Sequence, residues 1–139
     1  MNMGMRDCAP MVRVDVPRID RQHQEIFDLA ASFAGGGDHV RVMKSLAALS
    51  EHVRTHFREE EHLMASCGYP GLAAHRRQHQ ECRRMLVELL DQARTMNLDE
   101  IAEAVRQLVD GWIYNHILTA DFDYVPFVRD ALMGAPAQD

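Results

Sequence analysis

Four stretches of this chain carry a side-chain stripe that repeats every three or four residues, and each stripe mixes large apolar residues with histidine or a carboxylate. In the longest, Val42, Leu46, Leu49, Val53, His56, Glu60 and Leu63 step by alternating intervals of four and three. That period is one face of an α-helix and not of a strand, whose faces repeat every two residues. Leu72, His75, His79, Cys82, Leu86, Leu89, Ala93 and Met96 step in the same way. Ile19, His23, Ile26, Phe27 and Ala30 mark a shorter helix, and Ile101, Val105, Leu108, Trp112 and His116 mark a fourth.

The residues between the stripes are helix breakers. Gly35, Gly36 and Gly37 stop the first helix, which spans 19–34, and Asp38 caps the second. Gly68-Tyr69-Pro70-Gly71 ends the second, the third covers 71–96, and Asn97 separates it from the fourth. Four amphipathic helices with short connections predict an all-α, antiparallel up-down-up-down four-helix bundle. Val12, Val14 and Val16 alternate, as an extended N-terminal arm lying over the bundle would. A short C-terminal tail follows from Phe122, with a helix around Tyr124 to Leu132. At 139 residues and 47% hydrophobic content, residues 1–139 read as a single domain with one core.

A lone histidine on an apolar stripe is usually a core residue satisfied by one hydrogen bond. Here His23, His56, His75, His79 and His116 are joined by Glu60 and Asp121. Burying an unpaired polar group costs roughly 1–3 kcal/mol, so this set without a common partner would cancel much of the ~5–15 kcal/mol that holds a domain folded. A shared metal removes the difficulty. This many donors suits two six-coordinate ions bridged by carboxylates, and imidazole with carboxylate favours iron over zinc or calcium.

Helix geometry tests whether the set can converge. At about 1.5 Å per residue, His56 and Glu60 lie roughly 12–18 Å before the turn near Gly68, and His75 and His79 roughly 10–16 Å after it. Across the turn at Asn97, His75 and His79 are likewise level with His116 and Asp121. His23 falls about 10 Å short of His56 by the same rise. Residues four apart share a face, so His56 with Glu60 and His75 with His79 can each chelate together. His116 and Asp121 are five apart, an offset of about 140° on a regular helix, so either the helix ends or widens there as a π-turn, or Asp121 reaches back. Glu60 continues the stripe, whereas Glu59 and Glu61 are expected to face solvent and His39, His52 and His62 to lie on the surface or the rim.

The stretches IDRQHQ, HFREEEHLM, GYP followed by HRRQH, and WIYNHILTAD resemble, in order and spacing, the signatures of the hemerythrins, in particular the single-domain bacterial ones. The likeness runs from about Val14 to Tyr124. It implies two non-haem iron ions with a bridging oxide or hydroxide: His75, His79 and His116 on one, His23 and His56 on the other, Glu60 and Asp121 bridging. It further implies reversible dioxygen binding for storage, delivery or buffering rather than enzymatic turnover, with Trp112, Ile113 and Ile117 lining the oxygen site. Dioxygen is then the partner, together with an oxygen-consuming protein that receives it. The chain departs from the family in its arm, which commonly begins with a tryptophan; here Trp112 is the only one.

Other readings keep the bundle and change the chemistry: a di-iron oxidase, a peroxide- or nitric-oxide-reactive enzyme, or an oxygen or iron sensor. Against an enzyme stand the single E-x-x-H, Glu59 to His62, and the want of a tyrosine or proton relay on the ligand faces. The missing output domain weighs against a sensor. A net charge of −6 leaves no basic face for nucleic acid or an anionic membrane. With no signal peptide and no apolar run of about 18 residues, a soluble, cytoplasmic monomer is expected. Cys8, Cys67 and Cys82 are odd in number and lack CxxC spacing, which argues against a disulfide framework and a thiolate zinc site.

Overall fold

The computed structural model describes Val14, residues 16–35 and residues 38–133, with backbone alone for 34, 35 and 131–133. Among the described residues it is all helical. Helix α1 runs from Pro17 to Ala31 and continues as a 3₁₀ turn, Ser32–Gly35. Helices α2 and α3 span His39–Ser66 and Leu72–Gln92. The last helix, α4, comprises Leu98–Arg106, a π segment Gln107–Ile113, the turn Tyr114–His116, a second π segment Ile117–Asp121, and Phe122–Met133, without a break.

Local chemistry sets these limits. Pro17 opens α1 because its fixed φ is already helical and its missing N–H is not needed there. The chain before it is extended at Val16, and the Val14 N–H donates to Asp20 Oδ1 at 2.8 Å. Val14 and Val16 are both buried, so this part of the arm does lie on the bundle; Val12 falls outside the described residues. Asp38 caps α2 by accepting the Arg41 N–H, and Gly68 leaves it with φ 70°, where a β-carbon would be strained. Asn97 and Glu100 close a reciprocal capping box at the start of α4.

Consecutive helices pack on one another, and α4 returns against α1, α2 and α3. One end of the interior is apolar, with Leu46, Leu49, Val53, Leu86 and Ile101 fully buried. The expected stripe holds along α2 as far as Glu60, after which Met64 rather than Leu63 is buried. The cause is the mismatch between a strict 3.5-residue stripe and a straight helix, which drifts by about 20° per heptad. The helix expected around Tyr124 is present, but as the continuation of α4 rather than a separate tail.

Candidate metal centre

The polar end of the interior gathers all seven expected residues. His23 comes from α1, His56 and Glu60 from α2, His75 and His79 from α3, and His116 and Asp121 from α4; every one is buried. Their donor atoms form two groups, each with all atoms within 4.8 Å of one another: Glu60, His75, His79, His116 and Asp121 in one, His23, His56, Glu60 and Asp121 in the other.

The two carboxylates belong to both groups and face them with different oxygens. Glu60 Oε1 lies 3.0 Å from His79 Nε2 and 3.4 Å from His75 Nε2, while Oε2 lies 3.7 Å from His56 Nε2. Asp121 Oδ1 lies 3.1 Å from His75 Nε2 and 3.2 Å from His116 Nε2, and Oδ2 is 3.3 Å from His23 Nε2. Despite these approaches, Glu60 Oε1, His79 Nε2, both Asp121 oxygens and both His23 ring nitrogens have no aligned hydrogen bond. Buried polar atoms that come close without hydrogen-bonding are aimed at a common point between them.

The outer ring nitrogens explain which atom is free to bind. His56 Nδ1 donates to Gln22 Oε1 at 2.7 Å, His116 Nδ1 to Gln78 Oε1 at 2.8 Å, and His79 Nδ1 to Glu61 Oε2 at 2.6 Å. A neutral imidazole that gives its proton outward presents a bare Nε2 inward, the form a metal takes. His116 Nε2 and His75 Nε2 stand only 3.1 Å apart. Two lone pairs at that distance repel unless a cation or a proton lies between them. The residues present therefore fit a pair of metal ions.

Electrostatics tell the same story. Burial pushes the His56 pKa down to about 4. Burial also opposes charge on His75, but Asp121 and Glu60 outweigh it and raise that group to about 9. Burial would raise Glu60, yet His56, His75 and His79 hold it down to about 2, and Asp121 is likewise kept well below its ordinary value. The carboxylates stay anionic inside the protein because histidine nitrogens surround them and His75 holds a proton beside both.

Two local features account for positions that regular geometry left unresolved. The π segment Ile117–Asp121 inserts one residue into the turn, so Asp121, five after His116, comes round to the same face. His23 and His56 are level, their ring centroids 4.6 Å apart. The first helix does not end at Ala31: its packed 3₁₀ turn, with Phe33 buried, rises about 2 Å per residue and recovers part of the missing height.

Two expectations are corrected. Glu61 does not face solvent: its side chain is 14% exposed and accepts from His79. Glu61 stands about 100° round α2 from Glu60 and so lies off the stripe, but its partner sits on α3 and not on its own helix. A tyrosine does reach the ligand face. Tyr124 is fully buried and its hydroxyl donates to Glu60 Oε2 at 2.7 Å, with burial and the nearby Glu60 charge keeping it protonated. It follows Asp121 by three residues on α4, a same-face spacing that could have revealed it.

Ile113 and Ile117 are buried beside His116 in sequence, and Phe57 stacks on His79 with centroids 3.8 Å apart. Trp112 stacks on His116 at 5.0 Å but is only half-buried, and lines an open groove of about 800 Å³ with Arg77, Gln78 and Asn115. His39 lies at the rim with Nε2 3.1 Å from the Ala93 carbonyl, His52 pairs loosely with Glu25, and His62 is exposed.

Residues 14–128 match the family described as the hemerythrin HHE cation binding domain. The bacteriohemerythrin of Methylococcus capsulatus is 31% identical over 110 residues, which cover 77% of this chain and 83% of that protein. The bacteriohemerythrin of Pseudomonas paraeruginosa is 28% identical over 82% of this chain and 75% of its own length. The myohemerythrin of Riftia pachyptila is 30% identical over 81% of this chain and 84% of its own. A crystal structure of wild-type hemerythrin aligns with a TM-score of 0.69 at 31% identity, over 81% of this chain and 88% of that one. With its fold, its buried donor cluster and a family match over most of its length, this chain belongs to the hemerythrin family, which binds oxygen at a di-iron centre.

Proposed function

We propose that this chain binds dioxygen reversibly at a di-iron centre, as a store, carrier or buffer of oxygen rather than as an enzyme. The observation that carries the reading is the two-sided presentation of Glu60 and Asp121, each turning one oxygen to the three-histidine group and the other to the two-histidine group. In this reading His75, His79 and His116 hold one iron, His23 and His56 the other, and the carboxylates span the pair. When bound, the iron pair supplies dioxygen with two electrons and recovers them on release.

The protein's own part is to orient donors, keep water out and hold protons in place. With one histidine fewer, the His23–His56 side leaves a position for the incoming molecule. Ile26 and Phe27 follow His23 on α1, Ile113 and Ile117 flank His116 on α4, and all four are buried; in this reading they form the apolar lining in which a charged product is not solvated. Ile113 and Ile117 are assigned to the oxygen pocket, and Trp112 to the support of His116. Tyr124 keeps its own proton and donates a hydrogen bond to Glu60 Oε2, which fixes the carboxylate without releasing acid into the site.

The test is cycling. An iron-loaded sample should gain a visible absorption band in air, lose it when dioxygen is removed and regain it on readmission, with two irons per chain. A single conversion to a stable oxidised form would defeat the proposal. Tyr124 favours a second reading, a peroxide- or nitric-oxide-reactive enzyme, because it supplies a hydroxyl beside a carboxylate that spans the centre. Catalytic turnover of peroxide or nitric oxide would establish it. Among the described residues no helix is long and apolar enough to cross a membrane.

A further inference from the structure

Three histidines of the centre donate an outer N–H to a side chain, and only one acceptor is charged. Gln22 and Gln78 offer amide oxygens to His56 and His116, while Glu61 offers a carboxylate to His79 at 2.6 Å. A carboxylate draws harder on the ring proton than an amide does. More electron density is then left on the opposite nitrogen, here the Nε2 that faces Glu60.

This carboxylate is itself held. Arg83 reaches Glu61 Oε2 at 3.2 Å and Arg76 stands 3.6 Å from Oε1. Arg83, one turn beyond His79 on α3, also places its guanidinium 5.6 Å above the centroid of the Phe57 ring. Phe57 lies flat on His79, with 6° between the ring planes. His79, Glu61, Arg83 and Phe57 thus form a closed circuit of contacts that grips the imidazole by its edge and its face. His23, across the centre, has no hydrogen-bond partner at either ring nitrogen.

We propose, building on the di-iron reading, that Glu61 is a positioning residue. It fixes the ring and the electron density of His79, and so makes the three-histidine position the tighter and more easily oxidised of the two. Arg83 keeps Glu61 turned toward His79. Electron-rich nitrogen favours the higher-charged metal, so removing the charge of Glu61 should raise the potential at which the centre is oxidised.

The experiment uses the full chain loaded with ferrous iron. It reads the midpoint potential by optical redox titration, the affinity by competition with a chelator, and the fold by helical content. Glu61→Gln keeps the shape and the acceptor; it should raise the midpoint potential and weaken the tightest iron by about 10–100-fold, with helical content unchanged. Gln78→Glu gives His116 the charged acceptor it lacks and should lower the potential. Glu59→Gln removes a neighbouring charge that reaches a histidine only through the neutral Gln22, and should move the potential less than Glu61→Gln. Wild-type potential and affinity in Glu61→Gln, or an equal shift in Glu59→Gln, would overturn the proposal. Should Glu61→Gln not fold, an unmoved potential in Gln78→Glu overturns it. A wild-type chain that binds no iron overturns this proposal and the functional reading together, whereas one that loads and cycles while Glu61→Gln matches it overturns this proposal alone.

Discussion

The two halves of the centre are built to different standards. On one side His75, His79 and His116 come from two helices, and two of them are pinned from outside by Glu61 and Gln78 and stacked against Phe57 and Trp112. On the other, His23 and His56 come from α1 and α2, and only His56 has an outer partner, Gln22, which is held by Glu59. The difference teaches that the same donor chemistry can be made rigid on one side and sparing on the other. On the di-iron reading proposed above, the rigid side would keep its metal and the sparing side would leave room for a ligand.

The largest effects should break this asymmetry. His79→Ala removes a donor, a stack on Phe57 and the partner of Glu61, leaving a carboxylate largely enclosed without the ring it serves. The expected result is loss of iron from the three-histidine side and a less stable bundle, since ligands drawn from several helices tie metal binding to folding. His23→Ala removes a ring with no hydrogen bond and should leave at least one iron per chain. Iron content and thermal denaturation of the two variants check this, and equal losses in both would erase the contrast.

Tyr124→Phe acts on the carboxylate that both sides share. It deletes one hydroxyl and leaves Glu60 Oε2 buried without its donor, a cost of about 1–3 kcal/mol. A melting temperature lower by several degrees is expected, together with faster irreversible oxidation of the loaded protein as Glu60 loosens. Thermal scans and the decay of the oxygen-dependent band measure the two effects. Unchanged values would show that Glu60 is held by its histidine neighbours alone.

The fold was legible because its period is. Apolar stripes, the turn at Gly68 and the break at Asn97 are local signals, and the structure keeps each of them nearly in place, whereas Gly36 and Gly37 lie outside the described residues. The donor cluster was legible for a related reason: His56 with Glu60 and His75 with His79 declare a shared face by spacing alone. Glu61 and Tyr124 were missed because their meaning lies across the bundle. Glu61 is off the α2 stripe yet meets a ring on α3, and Tyr124 reaches Glu60 only because α4 continues past Asp121. A π segment at Asp121 was among the ways the five-residue spacing could be met, beside a helix end or a side chain that reaches back, whereas at Gln107–Ile113 no ligand pair marks one.

In a metal-free sample prepared with a chelator, the buried histidines are shifted in opposite directions, even within one side. His56 is pushed down to about 4, so as pH falls from about 6.5 the unfolded chain takes a proton that the folded one refuses, and stability drops. His75 is raised to about 9 and His23 is raised as well, so the folded chain holds protons that the unfolded one has lost, and stability falls as pH climbs toward 9. The metal-free melting temperature should therefore peak near neutrality on the acid side. Loading with iron should cancel the alkaline fall, because the metal takes the place of the His75 proton. A metal-free melting temperature that keeps rising from neutral pH to pH 9 would contradict it.

The smallest effect should come from Gly111, which sits on the rigid side without serving it. It lies inside the first π segment, one residue before Trp112, and a β-carbon placed there would meet nothing within 4 Å. Glycine in a helix interior costs roughly 0.5–1 kcal/mol relative to alanine. Gly111→Ala should accordingly stabilise the chain by about that much, leaving iron content and oxygen cycling as they were. A thermal scan beside the absorption assay is sufficient. Loss of iron in this variant would mean that the backbone before His116 must yield when the metal enters, and the side taken here as rigid would be the one that moves.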